Sequence, residues 1–65
     1  MMEKEHVQAL YTFCVTMAAC YMRDRDIYPQ WLAKVLVLAD VLGYVSTKPI
    51  EDIDDAWDKF YAGRN

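Results

Sequence analysis

The sequence predicts an all-α fold, a small three-helix bundle, on three observations. Apolar residues recur at three- and four-residue steps along most of the chain, the helical period. Glycine and proline, two of each, fall only at 29, 43, 49 and 63, where helices would begin or stop. Sixty-five residues, 55% of them apolar, allow one domain and exclude a nucleotide fold, a barrel or a multi-domain enzyme. A single helical domain over 1–65 is expected, with helices at about 3–22, 29–42 and 49–62.

The first helix is marked by Val7, Leu10, Tyr11, Cys14, Met17, Ala18 and Tyr21. At 100° per residue the stripe widens to Phe13, Val15, Cys20 and Met22, an apolar arc of about 220°. Only Gln8, Ala9, Thr12, Thr16 and Ala19 line the remainder. So wide an arc predicts a helix covered on more than one side, either the centre of the bundle or a subunit seam. Arg23-Asp24-Arg25-Asp26 then reads as a solvated connector. Its arginines suit a helix C-terminus, and its two acids cancel the field an anion site would need.

The second helix is expected to open at Pro29, capped by Asp26, and to close at Gly43. Trp31, Val35, Leu38 and Leu42 make its stripe, widened by Leu32, Leu36 and Ala39. Val37 and Val41 form a lesser patch on another side, while Gln30, Lys34 and Asp40 are the solvated positions. The third helix opens around Ser46 to Pro49 and stops at Gly63. Ile50, Ile53, Trp57, Phe60 and Tyr61 fall on one face, and Glu51, Asp52, Asp54, Asp55 and Asp58 on the opposite arc.

Charge narrows the function classes. Residues 1–48 balance five acids against five bases, so the whole net charge of −3 sits in the last 17 residues. Direct nucleic-acid binding requires clustered Lys and Arg, and no such cluster is present. Cys14 and Cys20 stand about 9 Å apart along a helix and about 120° around it, too far for a bridge. Two buried, reduced thiols in a cytoplasmic protein are expected. Met17-Ala18-Ala19-Cys20 loosely matches the end of a lipoprotein signal, but the acidic start lacks the positive n-region that such signals need. The uncharged run from Val7 to Met22 is too short for a membrane span.

No constellation names an activity. Asp54-Asp55-Ala56-Trp57-Asp58 spells D-D-x-x-D, a magnesium–diphosphate pattern elsewhere, yet a chain this short encloses no deep pocket for it. An EF-hand loop is lacking, and His6 has no partner for catalysis. No catalytic residue, metal site or cofactor is expected.

Leu38, Ala39, Leu42, Gly43 and Ser46 resemble the L-A-x-x-L-G-x-S core of a DNA-binding helix-turn-helix, with one extra residue in the turn. The helix in the recognition position offers five carboxylates where a DNA reader offers Arg, Asn, Gln and Ser. The resemblance therefore implies a helix-turn-helix-like corner without DNA contact.

A domain this small buries only about 60% of its unfolded surface, so the apolar surplus calls for a second protein surface. The expected oligomer or partner interface is the first helix, through Val7, Leu10, Tyr11, Cys14, Met17 and Tyr21. Glu51, Asp52, Asp54, Asp55 and Asp58 are the expected acidic docking face, with Trp31, Trp57 and Tyr61 as aromatic anchors. In size, composition and architecture the chain resembles the small helical inhibitors and antirepressors encoded by temperate phages. That resemblance implies a non-enzymatic regulator that docks on a DNA-binding repressor. The alternative is a homo-oligomerising assembly module with no regulated target.

Overall fold

A computed structural model of the chain describes residues 3–61. They form three helices, α1 (Lys4–Cys20), α2 (Tyr28–Leu42) and α3 (Lys48–Tyr61). The backbone runs up, down and up again. Lys4 and Val7 lie beside Val41 and Leu42, and the Phe13 ring meets Trp31 edge-on at 5.9 Å, so α2 is antiparallel to α1. Tyr11 reaches Asp52 and Tyr61 reaches Cys20, the same separation of 41 residues in each case, so α3 runs parallel to α1.

The wide apolar arc of α1 makes it the central helix. It packs on both α2 and α3, which touch each other only slightly. Ala18 and Ala19 are fully buried, and at about 100° per residue they point to different sides. Small side chains at those two positions let a neighbour approach from either side. Around them Tyr11, Cys14, Val15, Val35, Ala39 and Ile53 complete the core. Half-buried Trp31, Leu32, Leu38, Leu42 and Trp57 pack against its edge.

The connector ends α1 earlier than expected, at Cys20 rather than Met22. Asp24 Oδ1 accepts the backbone N–H groups of Asp26 and Ile27 at 2.9 and 2.8 Å. A short carboxylate that gathers nearby N–H groups competes with helical hydrogen bonds and turns the chain. Asp24 therefore does the work expected of Asp26. The N-cap of α2 is Ile27, with no side-chain cap, and Pro29 stands in the first turn.

Gly43 closes α2 as expected, with φ +76°. The N–H of Tyr44 reaches back to the Ala39 carbonyl at 2.9 Å and that of Gly43 to Asp40 at 3.0 Å. This is the six-to-one closure that needs a left-handed residue. A Cβ at Gly43 would meet nothing within 4 Å, so Gly43→Ala is expected to cost only its backbone strain. That is about 1 kcal/mol by thermal or chemical unfolding. The expected stop at Gly63 lies outside the described residues.

Candidate interaction surfaces

Each element leaves a different face outward. Val7, Tyr11 and Cys14, expected at an interface, are buried inside the chain itself. Their partners are the chain's own α2 and α3, because a helix between two neighbours spends its apolar arc on both. Leu10 and Met17 are half-buried and Tyr21 is exposed. Of the two thiols expected to be buried, Cys14 is, and Cys20 lies exposed at the end of α1. Burial raises the Cys14 thiol pKa, partly offset by the charge of Lys34.

Tyr11 anchors a polar knot between α1, the connector over residues 43–47 and α3. Its hydroxyl donates to Asp52 Oδ2 at 2.5 Å, and Lys48 Nζ donates to the same oxygen at 3.1 Å. The Lys48 ammonium also sits 4.9 Å from the centre of the Tyr44 ring. Tyr44 packs edge-on against Tyr11 at 5.2 Å and accepts a hydrogen bond from Gln8 at 3.2 Å. Asp52 is therefore a half-buried acceptor held by both Tyr11 and Lys48.

Burial, then the hydrogen bond to Asp52, then the nearby negative charges push the Tyr11 phenol well above its ordinary value of about 10. The hydrogen bond to Asp52 likewise raises Lys48, partly offset by desolvation. A phenol held protonated in the folded state adds stability below its unfolded pKa, and that stability is lost as pH rises beyond it. Melting temperature should thus hold steady up to about pH 10 and fall above it. Tyr11→Phe leaves Asp52 without one donor and should cost about 1 kcal/mol at neutral pH. It should also flatten the alkaline decline. Parallel declines in both proteins would show that Tyr11 is not the group responsible.

The other four acids stay outward. Glu51, Asp54, Asp55 and Asp58 are exposed and span about 100° of α3 at the helical period. None joins a salt bridge among the described residues, where the one ion pair is Lys48–Asp52. Along their border lie exposed Ile50, half-buried Trp57 and exposed Tyr61. Trp57 and Tyr61 pack at 5.2 Å, and the Arg23 guanidinium lies 5.8 Å from the Trp57 ring. An open groove of about 250 Å³ runs between them and Cys20. The aromatic anchors are thus divided, with Trp57 and Tyr61 on the α3 surface and Trp31 packed between Phe13 and Lys34 on the far side. Among the described residues no three His, Cys, Asp or Glu side chains are placed to hold a metal ion. No helix among them is long and apolar enough to cross a membrane.

The largest departure is on α2. Val37 and Val41 are 63% and 66% exposed, with Leu36 and Ala33 exposed beside them. What the sequence marks as a minor patch is the outer face of α2, interrupted only by Gln30, Lys34 and Asp40. Phe13, at 54% exposure, adds a further open apolar side chain on α1. The apolar surplus therefore lies on α2 more than on α1. Comparison of the chain with protein-family models, curated proteins and solved structures found no match.

Proposed function

We propose that the protein is a non-enzymatic, protein-binding regulator that docks the outer face of α3 on a basic partner surface. The observation that carries this reading is the exposed arc of Glu51, Asp54, Asp55 and Asp58 bordered by Ile50, Trp57 and Tyr61. Aromatic and aliphatic anchors beside exposed carboxylates match the composition of a binding hot spot with a charged rim. The arc's negative field would steer a positively charged partner and take up arginines that otherwise hold phosphates.

A DNA-binding repressor in the cytoplasm is the partner class that this chemistry favours. The α2–α3 corner keeps the order of a helix-turn-helix, but its second helix offers carboxylates in place of base-reading side chains. Docking there would hold the repressor off DNA, in the manner of the small phage-encoded antirepressors that the chain resembles. The test begins with the tagged full chain, used to capture its partner from the native host. The affinity of that partner is then compared for the wild type and an Asp54→Asn/Asp55→Asn/Asp58→Asn variant. Loss of affinity on neutralisation supports α3 docking; equal affinity overturns it.

The alternative, an assembly module, draws support from the exposed face of α2. It differs in needing no partner but a second copy.

A further inference from the structure

The outer face of α2 is built on a single ridge. Ala33, Val37 and Val41 follow one another at four-residue spacing, and all three are exposed. Val37 stands opposite the core, since buried Val35 and Ala39 flank the reverse side of the helix. Ridges of this kind interdigitate with their own copies at a crossing angle near −50°, the commonest class of helix packing.

The charges on this face are placed to choose the partner. Lys34 lies three residues before Val37 and Asp40 three residues after it. At 100° and 1.5 Å per residue they sit about 60° to either side of Val37 and about 4.5 Å below and above it. A two-fold axis through a Val37–Val37 crossing exchanges these positions. When two copies of α2 cross at about −50° and run in the same general sense, Lys34 of each copy falls beside Asp40 of the other. With the second copy reversed, the same operation sets lysine against lysine and aspartate against aspartate. Within α2 the outer face carries no other charge, and Lys4 of α1 borders it beside Val41. The Lys34 ammonium lies 4.9 Å from the Trp31 ring on the α1 side, and it swings off that ring to meet Asp40 of a second copy.

We infer that the outer face of α2 is a self-docking surface. A second copy of this chain crosses at Val37, and two reciprocal Lys34–Asp40 pairs set its orientation. This face is separate from the acidic arc of α3, so the inference stands or falls independently of the function proposed above. A contact made through one helix crossing belongs to the small end of protein interfaces, which gives a reversible dimer with a dissociation constant on the order of 100 µM.

Sedimentation equilibrium of the full chain from about 10 µM to 1 mM tests it, across the concentration range in which such a dimer forms. The wild type should pass from monomer to dimer. Val37→Asp should stay monomeric, with its helical circular dichroism unchanged because the side chain is exposed. Lys34→Glu alone and Asp40→Lys alone should each weaken the dimer by at least about tenfold, since like charges then meet twice. An equimolar mixture of these two variants should associate more strongly than either alone, because the heterodimer restores both opposite-charge pairs. A wild type that remains monomeric throughout, leaving the face to a foreign protein, would overturn the inference. So would a dimer that survives Val37→Asp, or a mixture no stronger than its components.

Discussion

Ile53→Ala is expected to lower the unfolding free energy by about 2–4 kcal/mol, the usual cost of truncating a fully buried aliphatic side chain. Ile53 is 1% exposed and is the largest fully buried side chain of α3. A domain of this length has only about 3–10 kcal/mol in total, so the variant should melt some 10–20 °C lower. Its control is Ile50→Ala, one turn earlier on the same helix. Ile50 is 45% exposed, so its truncation should cost under about 1 kcal/mol. Chemical unfolding of both variants checks the pair. Equal losses would mean that α3 does not sit against α1 through Ile53.

The contrast between these two isoleucines shows where the sequence is legible. Both fall on the apolar side of the same helical wheel, and periodicity alone cannot rank them. Which one is covered depends on the α1–α3 crossing, and that crossing is set by contacts 41 residues apart. The three helices, Gly43 as a left-handed stop and the outward position of four of the five acids all follow from local rules. The wide arc of α1 likewise announces a helix with two neighbours.

Asp52 was not legible as a structural residue for the opposite reason. It sits in an acidic run that looks uniformly solvated, and its phenol partner lies on another helix. A local clue does exist in Lys48, four residues earlier, at the spacing of a helical ion pair. The α2 face is hard to read from sequence because Val37 and Val41 are covered by neither neighbour. In sequence an apolar residue left in solvent looks the same as one in the core. Cys20 is the same problem in miniature, an apolar-class residue one position beyond the buried pair Ala18 and Ala19.

Neutralising the exposed acids of α3 is expected to have the largest functional effect. Asp54→Asn/Asp55→Asn/Asp58→Asn should weaken binding to the captured partner by about 100-fold, taking about 1 kcal/mol for each lost charge contact. The loss should fall mainly on the association rate, and raised salt should reduce wild-type affinity while leaving the variant nearly unaffected. Stability should be unchanged or slightly higher, because exposed acids crowded along one helix repel each other. Asp52→Asn makes an informative comparison. It should reduce stability by weakening the contacts from Tyr11 and Lys48, yet leave partner affinity largely intact in the folded population.

The proposed docking of α3 would exclude a basic protein from its phosphate-bearing ligand. Competition between the chain and DNA for the captured partner, followed by fluorescence anisotropy of the labelled DNA, tests it. Wild-type protein should release the DNA in proportion to its concentration, and the triple Asn variant should release it only at about 100-fold higher concentration. A ternary complex in which the partner, DNA and this chain remain bound together would contradict docking of α3 on the phosphate-binding surface.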